Sequence, residues 1–169
     1  MKWVTREHVH VDRTACPWLI KRFVDPRAEF IFVSTEEVLE TSKKENATPY
    51  DVQGVELGHH GEKCSFDAII EKYEIKDLAV LELAKIVRAA DTGRMEAAPE
   101  ATGLEAVMSG ISIIAKDDHE AVEKAGVVYD ALYTRSKMRL IEEKLKSEIE
   151  KMDRGQRREF LRKKLLENQ

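Results

Sequence analysis

Glu56, His59, His60 and Cys64 fall within nine positions in the run GVELGHHGEKCSF, Gly54 to Phe66. Carboxylate, imidazole and thiol are the usual donors to a transition metal, or the working groups of a small active site. Gly58 and Gly61 flank the two histidines and permit a tight chain path. Adjacent side chains on regular backbone point apart, so at most one histidine of the pair need face a site. Joined by a carboxylate, it would hold Zn, Mn, Fe or Ni. The same residues also fit a surface turn with two exposed histidines above an inert, buried Cys64.

Three other places offer partners. Asp91 ends an apolar helical run in RAADTGR, and Asp118 and His119 open another in KDDHEA. An acid at a helix start needs no function, but a protonated histidine is disfavoured there, so His119 suits a neutral ligand. Convergence of His59, Asp91 and His119 would give a two-histidine, one-carboxylate metal site. Glu56 or Asp118 would then serve as general base to a metal-bound water, with Cys64 in the pocket wall. In VDRTACPWLIKRF, Arg13 and Arg22 could grip an oxyanion with paired donors, close to the Cys16 thiol. Structural pairing of these arginines with Asp12 and Asp25 is the competing reading. His8, His10 and Asp12 share one face if their segment is extended, which makes them a further ligand set, the alternative being an edge strand with a polar face.

The elements that must position these groups follow from pattern. Trp3 to Val11 reads as a strand, Thr14 to Val24 as a helix with Pro17 in its first turn, and Glu29 to Val33 (EFIFV) as a second strand. That order predicts a crossover unit with two parallel neighbours. Ser34 with Glu37 and Asp117 with Glu120 have capping-box spacing. Helices are predicted from Ser34 to about Lys44, from Ser65, from Asp77 to Asp91, and from Leu104 to Ala115, the last apolar enough to be central. The helix after Asp117 is expected to run on through Ile149, and a last short one spans Arg157 to Leu166. The expected fold is a predominantly helical single domain of the α+β or α/β type, with a small sheet and a long C-terminal helix. Residues 1–133 would form the domain and 134–169 a charged helical extension that pairs with a second copy.

Composition limits the alternatives. A chain of 169 residues, 43% hydrophobic and 36% charged, has no apolar run long enough for a bilayer and no signal-peptide pattern at its start. The cytoplasm is the expected compartment, and two cysteines 48 positions apart are expected to stay reduced. Residues 134–169 carry 12 Lys or Arg against 7 Asp or Glu, while the rest of the chain is acidic. The mixture of signs in that tail reads as a solvated helix, so nucleic acid is not the expected partner.

The runs VDRTACPWLIKRFVDPRAEFIFV, GVELGHHGEKCSFDAII, VRAADTGR and DDHEAVEKAGVVYDALY resemble the C-terminal domain of the chromate-resistance protein ChrB, from about Trp3 to Tyr133. The match includes Asp12, Arg13, Cys16, Arg22, Glu56, His59, Cys64, Asp91, Asp118 and His119, and it favours His59 over His60. The resemblance implies a role in chromate resistance or chromate-responsive regulation beside an efflux transporter. The family's N-terminal regulatory portion has no counterpart here, so control of transcription by this chain alone is not expected. Three functions follow as expectations. The first is a domain that binds a divalent metal, an inorganic or oxidised anion, or both, in a sensing or accessory role. The second is a small hydrolytic or redox enzyme using metal-activated water. The third is a non-catalytic oligomerising domain.

Overall fold

Trp3, Val4 and Thr5 are all fully buried in β1 (Lys2–Arg6). Their burial follows from position, because β1 is the middle strand of a three-stranded parallel sheet. On one side lies β2 (Glu29–Val33), in register from Lys2 opposite Glu29. On the other lies the two-residue β3 (Thr48–Pro49), with Trp3 opposite Thr48. Side chains alternate along a strand. Trp3 therefore enters the main core, while Val4 joins Val38 and Ala47 in a smaller cluster.

The chain was obtained as a computed structural model that describes residues 1–167. The strand stops at Arg6, short of the expected Val11. His8 turns to φ 59°, and the Asp118 carboxylate accepts the N–H groups of His8 and Val9 at 3.0 and 2.9 Å. His8, His10 and Asp12 consequently share no strand face. Asp12 belongs to α1 (Val11–Phe23), which begins three residues before the expected start and leaves Pro17 inside the helix. There the proline ring removes the N–H that would reach the Arg13 carbonyl.

A single 3-10 turn, Thr35–Glu37, leads into α2 (Val38–Glu45). Ser34 donates to the Glu37 carboxylate at 2.6 Å and makes no cap to the backbone. Then follow α3 (Ser65–Lys72), α4 (Leu78–Asp91), α5 (Ala101–Ile114) and α6 (Asp118–Lys144). Asp77 caps α4 by accepting from Ala79 and Val80, and Asp117 caps α6 by accepting from Glu120. Helix α1 packs on α3, α4 and α6, and α5 packs on α4 and α6. The expected predominantly helical domain with a small sheet is what the chain forms.

Two expectations about the later helices are corrected. α5 is not central: Leu104, Met108 and Ile111 are buried, but Ile113 and Ile114 are 84% and 70% exposed. α6 does not run on to Ile149. It ends at Lys144, and a short turn, α7 (Lys146–Ile149), sends the chain back as α8 (Arg154–Glu167). α8 lies against α6, with Leu161 buried and Arg157 paired to Glu142 at 2.9 Å. Residue 133 is interior to α6, and α8 folds back along that helix. No described helix is long and apolar enough to cross a membrane.

Candidate metal centre

Asp12 stands in the first turn of α1, 2% exposed, and its carboxylate is held by the start of another helix. Oδ2 accepts the Ser65 N–H at 2.8 Å and Oδ1 the Phe66 N–H at 3.0 Å. The unpaired amides at a helix start carry partial positive charge, which makes them a natural seat for a carboxylate. This bond pair fixes α3 on α1. A second clamp fixes α3 on α4: Asp67 takes two bonds from Arg88, at 2.8 and 2.6 Å. Asp91 lies one turn beyond Arg88, so the clamp sets its position too.

The turn carrying His59 is built on close backbone contacts. Asp51 donates its N–H to the Leu57 carbonyl, and His60 and Lys63 exchange both backbone bonds. A side chain at Gly58 would place its Cβ 2.6 Å from the Val52 carbonyl oxygen, so only glycine fits. Leu57 forms one isolated parallel bridge with Tyr50. His60 turns away and bonds the Glu56 carbonyl at 2.8 Å.

His59 turns inward. Its Nε2 lies 3.5 Å from Asp12 Oδ2, 3.2 Å from Asp51 Oδ1 and 3.3 Å from Asp91 Oδ2. The hydrogen bond to Asp12 raises the imidazole pKa to about 9; burial opposes this, and the charges of Asp12, Asp91 and Asp51 add to it. Burial raises the Asp91 pKa to about 7, helped by the negative charge of Asp12 and resisted by His59. Asp51 is already neutralised on its other oxygen, where Arg6 and Arg13 both donate at 2.9 Å, and it accepts from the Ser65 hydroxyl at 3.3 Å.

Donor atoms of Asp12, His59 and Asp91 all lie within 4.8 Å of one another. Two carboxylates and one imidazole are an ordinary donor set for a divalent first-row cation. The His59 side chain is 44% exposed, which leaves one side of the trio open to water. Asp51 and its two arginines orient the group from behind.

His59 and Asp91, expected as ligands, are brought together. His119 is not brought to them; its ring meets Phe32 edge-on at 5.0 Å, lining a separate groove of about 640 Å³ with Trp18 and Arg22. Asp118 holds the His8–Val9 turn. Glu56 is an exposed partner of Lys72. Arg13 and Arg22 do not form a pair: Arg13 binds Asp51 and the His8 carbonyl, whereas Arg22 binds Asp130 at 3.0 Å and lies over the Tyr133 ring. Cys64 is fully buried, and burial pushes its thiol pKa far up, overriding the helix start beside it. Cys16, one turn after Asp12, is raised by burial and by the Asp12 charge, and its Sγ reaches Asp12 Oδ1 at 3.6 Å.

Asp51 carries no mark in the sequence, and Asp12 is offered there as a ligand beside His8 and His10 or as an arginine partner, not as a partner of His59 and Asp91. Asp51 sits at φ 51°, a left-handed conformation that aspartate tolerates better than most residues. An acid between an aromatic residue and a loop is a weak signal in one sequence. Asp12 left a stronger one, an acid beside Arg13 where a helix is expected to start.

Comparison with known proteins agrees with the motifs. The family described as ChrB, C-terminal domain matches residues 3–136. The chain is 34% identical over 134 residues to protein ChrB of Cupriavidus metallidurans, which covers 79% of this chain and 40% of that relative. The chain therefore belongs to the ChrB C-terminal domain family and spans about two-fifths of that relative's length. No solved structure matches it.

Proposed function

We propose that the domain binds a divalent transition metal (Zn, Mn, Fe or Ni) through Asp12, His59 and Asp91, with Asp51 as the orienting acid. The observation that carries this is the single imidazole nitrogen facing carboxylates from three separate stretches of chain, at 3.2 to 3.5 Å. With no metal bound, the His59 proton supplies the positive charge these acids need. A metal would displace that proton, because a coordinating imidazole must be neutral.

The family's chromate-resistance setting supports an oxidised anion as the metal's further ligand, in a sensing or accessory role. Such an anion would be held by the cation itself, since Arg13 and Arg22 are each engaged elsewhere. The open side of the trio favours a second reading, in which metal-bound water acts as a nucleophile. There Asp51 or Asp91 would handle the proton, being adjacent to the site, while Glu56 and Asp118 face other partners.

Elemental analysis of protein purified without a histidine tag, followed by calorimetric titration with Zn, Mn, Fe(II) and Ni, tests the proposal. One equivalent of metal is expected, lost in His59→Ala and retained in His60→Ala. Equal weak uptake by all three proteins would show a purely structural ion cluster. Chromate binding that depends on the metal separates the anion role from turnover.

A further inference from the structure

The basic end of the chain folds back, and α8 brings one of its arginines to the end of α1. Arg22, Tyr133, Thr134, Lys137 and Arg162 line a recess of about 230 Å³ among α1, α6 and α8, and no described acid lines it. Tyr133 is its hub. The ring is buried, its hydroxyl donates to Asp77 at 2.7 Å, and the Arg22 and Lys137 cations lie 4.9 and 4.5 Å from the ring centre. The ring attracts each cation, yet the two charges are held within roughly one Debye length, about 10 Å, of each other. Two acids stand nearby, and both are engaged. Asp130 accepts from Arg22 and from the Trp18 ring N–H, each at 3.0 Å. Asp77 caps α4 with one oxygen and takes the Tyr133 hydroxyl with the other. Among the described residues Lys137 and Arg162 form no ion pair, and the Thr134 hydroxyl makes no hydrogen bond.

We propose that this recess binds a tetrahedral oxyanion of the phosphate class, either free or as the end group of a small organic phosphate. The charge count selects the ligand. Arg22 is balanced by Asp130, while Lys137 and Arg162 leave two positive charges for a dianion; a carboxylate would answer only one of them. The donors suit such a group as well. A guanidinium presents a fork to two oxygens, an ammonium swings three N–H groups on a flexible stem, and Thr134 adds a neutral hydroxyl. Arg22 also lines the larger groove with Trp18, Phe30 and Phe32, so an organic group attached to the anion finds aromatic surface beside it. The recess stands apart from the metal centre, since Arg22 follows Asp12 by ten residues, about 15 Å along α1.

Calorimetric titration of the full chain with inorganic phosphate and with phenyl phosphate tests this, in chelator, at low ionic strength and near pH 8, where phosphate is a dianion. One anion per chain is expected, at about millimolar affinity. Lys137→Gln and Arg162→Gln should each weaken it about fivefold or more while keeping the wild-type circular dichroism. His59→Ala should leave it unchanged, because the metal centre takes no part. Phenyl phosphate binding at least tenfold tighter than inorganic phosphate assigns the site to an organic phosphate, and equal binding assigns it to the free anion. Absence of saturable binding of either probe up to about 50 mM overturns the proposal, as does undiminished binding in a folded double variant, Lys137→Gln with Arg162→Gln.

Discussion

Replacing Asp91 by asparagine should make the metal-free protein more stable, although it removes a proposed ligand. The acid is 17% exposed and crowded by two other carboxylates, so ionising it in the folded chain is costly. Moving its pKa from 3.8 to about 7 is equivalent to about 4 kcal/mol at most. Water entering beside His59 and relaxation of the site reduce the expected gain to roughly 2 kcal/mol, or roughly 4 to 8 °C in melting temperature. The sign follows from proton uptake. Above pH 3.8 the unfolded chain gives up this proton while the folded chain keeps it until about pH 7, so wild-type stability from this group falls as pH rises through that window. Asparagine has nothing to lose there. The advantage of Asp91→Asn should be near its maximum at pH 8, where His59 is still protonated, and shrink to about 0.5 kcal/mol near pH 4. Urea unfolding in a chelator at both pH values measures it. In saturating metal the order should reverse, because only the wild type gains binding energy, about 2.7 kcal/mol at 100 times Kd. A variant less stable than wild type at pH 8 in chelator would refute the reasoning, as would an equal advantage at both pH values.

Asp12→Ala should cost about 3 to 5 kcal/mol even without metal, since it strips two charge-assisted bonds from the start of α3 and leaves buried amides unpaired; denaturant unfolding reads this, and a loss under 1 kcal/mol would show that α3 does not depend on it. Cys16 and Cys64 should both resist alkylation at pH 7.5 in the folded protein, far more than a free thiol. Mass spectrometry after timed iodoacetamide treatment gives the rate, and prompt labelling of Cys64 would contradict its burial.

The helices were legible where local chemistry alone decides them. The Asp77 and Asp117 caps and the apolar spacing of α4 and α6 stand in the sequence as they do in the fold. The end of β1 was not legible, because it is set by Asp118, more than a hundred residues away, taking the amides of His8 and Val9. α6 was read too long for a similar reason. Its apolar pattern continues, and only the packing of α8 against it shows where the chain reverses. At the candidate site, His59 was marked by its glycines and Asp91 by the end of its helix. The helix field at the start of α6 disfavours a charged His119, but an imidazole also satisfies itself against an aromatic edge, as His119 does on Phe32. Asp12 and Asp51 owe their place to amides and guanidiniums from other segments, and no local spacing records such partners.

His59 gathers acids that lie 79 positions apart along the chain, from Asp12 to Asp91, so whatever positive species sits among them works as a clasp. It ties α1, the Asp51 loop and the end of α4 at one point, closing long loops whose ends would otherwise wander. Opening the clasp frees several regions together, and the chain's endurance against proteases would then follow the supply of that cation as well as the packing of its interior.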